Sequence, residues 1–137
     1  MKNSIELEIY TPSKKYFSGS IVFLSVQSDN FRLGITPNHS PLISTIKISE
    51  LEIKMINDEI FHYATSGGML SLKNGKITMI VDSIERSDEI DYNRALESKK
   101  RAEQRLLDKE FIDTKRANLS YLRAVNRLSI FDRYNKN

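Results

Sequence analysis

All eight glycines and prolines of the chain fall within its first 75 residues, and the remaining 62 residues contain neither type. The glycines are Gly19, Gly34, Gly67, Gly68 and Gly75; the prolines are Pro12, Pro37 and Pro41. Turns need residues that reach positive φ or fix φ in advance, and helix interiors exclude both kinds. The partition therefore predicts a turn-rich front and an uninterrupted helical back. At 137 residues there is room for one domain with an appendage. The absence of cysteine rules out thiol chemistry, thiolate-bound zinc and iron–sulfur clusters. With only two histidines, a metal site would need carboxylates to complete it.

The front reads as sheet. Ile5, Leu7 and Ile9 alternate with Glu6, Glu8 and Tyr10, the pattern of a strand with one wet face, and Pro12 stops it. Residues 21–26 are a β-branched and aromatic run suited to a more buried strand. Leu51, Ile53 and Met55 alternate with Glu52, Lys54 and Ile56, Asn57-Asp58 turns the chain, and residues 60–65 return. Asn74-Gly75 joins the runs 69–72 and 77–81, a strong two-residue hairpin signal. Ser66-Gly67-Gly68 reads as a tight turn or bulge, since it lacks the lysine and following helix of a phosphate loop. Short strands at this spacing predict an antiparallel sandwich or barrel.

The back reads as an antiparallel two-helix hairpin. Asp88, Glu89 and Asp91 suit the positive end of a helix dipole, with Asp91 as N-cap. Ala95, Ala102 and Leu106 form one apolar row, with Leu96 and Leu107 beside it. Ala117, Tyr121, Ala124, Leu128 and Phe131 form a second row, and residues 108–113 connect the helices, with Asp113 capping the second. A narrow, Ala-rich stripe suits a close pair that buries little area and rearranges readily.

Charge divides at the same boundary. Residues 1–84 carry eight basic and eight acidic side chains, whereas 85–113 carry seven against nine and 114–137 six against one. Arg116, Arg123 and Arg127 are spaced by seven and four residues, as are Arg94, Arg101 and Arg105. Such spacing keeps each set within an arc of about 40° on its helix. Two guanidinium rows on paired helices can converge on a polyphosphate. The same rows also fit a solvated face with i,i+4 pairs such as Glu97–Arg101. His39, in a loop with two prolines, reads as a hydrogen-bonding loop organiser. His62 alternates with Phe61 and Tyr63 in a strand, and neither histidine has the neighbours of a catalytic base. The N-terminus enters a strand pattern directly and fits no targeting peptide, and no apolar run approaches the ~18 residues of a membrane span.

In order along the chain stand Leu33-Gly34-Ile35, Pro37-x-His39-x-Pro41-Leu42, Ser66-Gly67-Gly68-x-Leu70, Glu85-Arg86 and Ile90-Asp91-x-x-Arg94-Ala95. With this ordered set the whole chain resembles the epsilon subunits of bacterial F-type ATP synthases. The resemblance implies an α+β architecture. An N-terminal β-sandwich over residues 1–85 would dock on the gamma subunit and the membrane rotor ring, and a regulatory helical hairpin would occupy 88–137. It implies a non-catalytic central-stalk subunit that helps couple proton or sodium flow to ATP synthesis. The hairpin would lie against the sandwich or extend along gamma toward the alpha and beta subunits, inhibiting ATP hydrolysis when extended. It implies peripheral attachment at the cytoplasmic face of the bacterial cell membrane without insertion, no required cofactor and no metal. ATP would be a regulatory ligand, and Glu85, Ile90, Asp91, Arg94, Arg101, Arg123 and Arg127 match the positions that bind it in members of this family. Arg32, Gly34, His39 and Pro41 fall in the partner-facing loops. Two residues depart from the family pattern: Asn38 replaces the usual Gly before the His, and Arg32 puts a cation in a rotor-facing loop that is commonly acidic. A β-domain with a basic helix that binds nucleic acid is the alternative, resting on the charge of residues 114–137; against it stand a neutral front half and no RNA-binding aromatic signature.

Overall fold

The computed structural model describes residues 3–108, 110 and 113–135. Within them the front of the chain forms seven strands: β1 (Ile5–Tyr10), β2 (Lys15–Gln27), β3 (Arg32–Ile35), β4 (Leu42–Met55), β5 (Ile60–Lys73), β6 (Lys76–Val81) and β7 (Ile84–Arg86). A 3-10 turn over Ser87–Glu89 leads into α1 (Tyr92–Leu107), and α2 (Thr114–Tyr134) follows. The sheet order is β1-β6-β5-β4-β2-β3, and β1 also pairs with β2. Five strands thus close on themselves as a flattened, barrel-like sandwich, with β3 attached to β2 and β7 to β5. The pairings are antiparallel except that of β1 with β6, which is parallel.

The core follows the alternation in the sequence. Leu7, Ile9, Ile21, Leu24, Ile53, Leu70, Ile77 and Met79 are fully buried between the faces. Asn74 and Gly75 both have positive φ, as a two-residue hairpin of this twist requires, and Asp58 does so at the β4–β5 turn. Asn38 sits at φ 72°, so it supplies the left-handed conformation that Gly would.

Of the two expectations for the glycine pair, a tight turn or a bulge, the turn does not form. Gly67 and Gly68 lie inside one continuous strand, β5, where it changes partner from β7 to β6. Gly67 has φ +102°, and a Cβ on Gly68 would overlap the Ile80 carbonyl oxygen and stand 2.8 Å from Val81 Cα. The pair is therefore a kink at which the backbone of the neighbouring strand β6 approaches closely. β2 and β4 likewise run longer than their apolar cores, because their outer halves carry polar residues that ladder bonds hold extended.

In the hairpin, Asp91 accepts a hydrogen bond from the Arg94 amide at 3.1 Å, and Asp113 accepts one from the Arg116 amide at 3.0 Å. Both caps are as expected. The connection at 108–113 includes Lys109, Phe111 and Ile112, which lie outside the described residues, as do residues 1–2 and 136–137 at the chain ends. Ala95, Ala102, Ala117 and Ala124 are buried, and the Tyr92 and Phe131 rings meet at 5.1 Å. Leu106 and Leu107 correct the expected stripe: they are 39% and 81% exposed. No helix among the described residues is long and apolar enough to cross a membrane.

Candidate functional site

The outer face of β5 carries His62, Ala64 and Ser66, alternating with the inward Tyr63 and Thr65. Small Ala64 leaves space there for a helix. α2 lies over this face and places Ile130, 1% exposed, against Ala64 and Ile90. The hairpin is thus folded against the sandwich, on an apolar patch much smaller than the sandwich core. The remaining hold is polar. Asn126 donates to the Ser49 carbonyl at 2.9 Å, and Asn135 donates to the Ser87 carbonyl at 2.7 Å.

Near the middle of α2 are the arginines. Arg127 Nε donates to Glu85 Oε1 at 2.5 Å and Nη2 donates to Ser83 Oγ at 3.3 Å. Arg123 Nη2 is 3.9 Å from Asp82, and its buried Nε has no hydrogen-bond partner. A cavity of about 340 Å3 opens between hairpin and sheet, lined by Glu85, Asp91, Arg94, Ser98 and Arg127 among others. A second, of about 380 Å3, shares Ser98 and Arg127 with it and adds Arg123, Ser66, Asp82 and Ser120. Five of the seven expected nucleotide-site residues therefore converge: Glu85, Asp91, Arg94, Arg123 and Arg127. The other two do not line these cavities. Ile90 is 5% exposed and anchors the apolar patch, while Arg101 is exposed and donates to Ser98 Oγ at 3.3 Å. As it stands, Arg127 is paired with Glu85 and Arg123 lies 3.9 Å from Asp82, so an anion would have to compete with these carboxylates. The same pairing answers the nucleic-acid alternative. Among the described residues, Arg123, Arg127 and Arg133 of α2 face Asp82, Glu85 and Glu50 of the sandwich, which draws these side chains away from an outward basic surface.

At the end of α2, Glu50 gathers three groups. Arg133 donates to Oε1, Tyr134 donates to Oε2 at 2.7 Å, and His62 Nδ1 lies 3.1 Å from Oε2. The Tyr134 and His62 rings stack at 3.6 Å and 9°. Burial first, and the Glu50 carboxylate next, push the Tyr134 phenol above its ordinary value. This cluster escaped the sequence reading, although the turn at 57–58 implies it. Residues equidistant from position 57 pair across β4 and β5, so Glu52 faces His62 and Glu50 faces Ala64.

The partner-facing candidates lie elsewhere. Arg32 is exposed on β3, with Nε donating to Ser25 Oγ at 2.7 Å. Gly34 is exposed beside the Phe23 ring, and Pro41 is exposed just before β4. His39 Nδ1 lies 2.7 Å from the Ser40 carbonyl, consistent with a loop-organising role.

Residues 4–87 match the family model described as ATP synthase, Delta/Epsilon chain, beta-sandwich domain, and residues 88–132 match the long alpha-helix domain of the same chains. The ATP synthase epsilon chain of Desulforamulus reducens is 39% identical over 129 residues, covering 93% of this chain and 97% of its own. That of Clostridium kluyveri is 37% identical over 130 residues, covering 95% and 98%. Among solved structures, a chain in the cryo-EM structure of the Euglena gracilis mitochondrial ATP synthase shares the fold with a TM-score of 0.78 at 12% identity, covering 89% of this chain and 78% of that one. One from the central stalk and c-ring of the Tetrahymena thermophila enzyme gives a TM-score of 0.59 at 16% identity, with 96% of both chains covered.

Proposed function

Because the chain belongs to the ATP synthase delta/epsilon chain family, as an accessory subunit rather than a catalytic one, we propose that it serves the central stalk as a releasable, nucleotide-sensitive regulator. The sandwich over residues 1–85 docks on gamma and the rotor ring, and the hairpin over 88–137 regulates. The complex holds the subunit peripherally at the cytoplasmic face of the membrane. A strip of exposed apolar side chains supports a docking role for the sandwich: Met69 pairs across strands with Ile80, and Ile43 is on the same face. These three are 47%, 59% and 75% exposed, unusual for a sheet face in water.

The observation that carries the regulatory reading is the arginine-lined space between hairpin and sheet. ATP phosphates there take over Arg123 and Arg127 from Asp82 and Glu85, bridging α2 to the sandwich. A ligand that binds only when both faces are present stabilises the folded-down state in proportion to that difference in affinity. When ATP is scarce, only the small apolar patch and the polar contacts of α2 hold the hairpin down, and it extends more readily toward the alpha and beta subunits and inhibits hydrolysis. Calorimetry with ATP on the full chain tests this. Heat of binding that disappears in Arg123→Ala and Arg127→Ala is expected, and no heat at millimolar ATP would overturn the nucleotide reading. Added to an ATPase core, the full chain should lower hydrolysis and a chain lacking residues 88–137 should not. Equal hydrolysis with both would overturn the inhibitory role.

A further inference from the structure

Three potential metal ligands stand together on the outer face of the sheet, beneath the last turn of α2. His62 Nδ1 lies 3.1 Å from Glu50 Oε2 and 3.8 Å from Glu52 Oε1. One ligand atom from each residue falls within 4.8 Å of the other two. Strand register builds the group: Glu52 is directly opposite His62, and Glu50 is two residues along on the same face. Ligands carried on paired strands are held more rigidly than ligands on loops.

The spacing fits a particular kind of ion. Tetrahedral zinc, with bonds of about 2.1 Å, keeps its ligand atoms about 3.4 Å apart. The two distances to Nδ1 bracket that value. The side chains of His62, Glu50 and Glu52 are 19%, 14% and 31% exposed, sheltered yet reachable from solvent. Stacking on Tyr134 fixes the plane of the imidazole. An imidazole with two carboxylates leaves one position for water, and the imidazole selects a transition ion over magnesium or calcium, which prefer oxygen.

We propose that His62, Glu50 and Glu52 bind one divalent transition-metal ion of the zinc type, and that the end of α2 competes with this ion for Glu50. In the folded-down hairpin, Glu50 accepts from Tyr134 through Oε2 and from Arg133 through Oε1. An ion on Oε2 competes with the Tyr134 hydroxyl for that oxygen, weakening it as an acceptor, and sets a divalent charge beside the Arg133 guanidinium. By reciprocity, whatever the ion takes from the hold on α2, a loosened α2 returns to the ion. The site is separate from the arginine cavities and stands whether or not they hold nucleotide.

The test is titration of the full chain with Zn2+ by calorimetry and with Co2+ by visible absorption. One equivalent should bind. Glu52→Gln should weaken binding by about tenfold or more while leaving the Arg133 and Tyr134 contacts to Glu50 in place, so it reads the ion without loosening the helix. His62→Gln should do the same, and His39→Gln should change nothing. Arg133→Ala and Tyr134→Phe should tighten binding severalfold. The site is overturned by absence of saturable binding at millimolar metal, by indifference to Glu52→Gln, or by loss in His39→Gln. Unchanged or weaker affinity in both Arg133→Ala and Tyr134→Phe overturns the competition.

Discussion

Replacing Ile130 by Ala should loosen the hairpin without touching the sandwich. Ile130 is 1% exposed and belongs to a small cluster with Ala64 and Ile90, apart from the large core inside the strands. The substitution removes three carbons. At about 0.8 kcal/mol per buried methylene, the docking of α2 loses about 2.4 kcal/mol. A further cavity cost is small here, because half-buried Phe131 and Tyr134 border the gap and can relax into it. A loss of about 2.4 kcal/mol corresponds to roughly a 60-fold rise in the opened population. Hydrogen exchange on the full chain reads this directly. Amides of α2 should exchange roughly 60-fold faster, while those of β1 and β6, whose contacts lie in the other cluster, should keep their rates. Unchanged protection in α2 would show that the polar contacts alone hold the hairpin. Equal acceleration in β1 and β6 would show that sandwich and hairpin open as one unit. Either result refutes the reasoning.

Gly68→Ala should destabilise the sandwich by about 3 kcal/mol or more, because its Cβ would fall on the Ile80 carbonyl oxygen and both strands would have to move; an unchanged urea midpoint would contradict the close approach. The Lys76 ammonium, 2.8 Å away, is the main cause holding the Glu8 carboxyl at about 2, against an ordinary 4.5. Because the folded value is the lower one, this stabilisation is complete above about pH 4.5 and is lost as the pH falls toward 2. The difference in stability between the wild type and Glu8→Gln should therefore narrow over that interval in urea titrations, and a constant difference would refute the pairing.

Much of the fold was legible because alternation and turn chemistry are local. Ile5, Leu7 and Ile9 announce β1, Asn74-Gly75 announces its hairpin, and the two aspartate caps open both helices where expected. The misreadings share a cause. Gly67-Gly68 looks like a turn or bulge until β6 is known to lie close beside it, and Leu106 looks buried because helical periodicity says nothing of how far the partner helix covers the row. Strand β3, only four residues long, carries too little pattern to stand out from its loop. The candidate site behaved in the same way. Helical spacing exposed the arginines and the resemblance pointed to Glu85, but Asp82 comes from a segment that only the folded hairpin brings near. Glu50 and Glu52 beside His62 were within reach of simple register arithmetic about the turn at 57–58.

The parallel seam between β1 and β6 also sets the order in which the molecule can assemble. β1 meets β2 within a few residues of its own end, but its other neighbour begins only at Lys76. A chain emerging from the ribosome therefore carries a half-satisfied first strand until about 80 residues have been made, and closure of so long a loop is slow compared with forming a helix. The surface on which α2 rests includes β4, β5 and the 3-10 turn after β7, so it is complete only once the chain has passed β7. The hairpin is thus the last part to dock, and losing it should leave the closed ring of strands behind it intact.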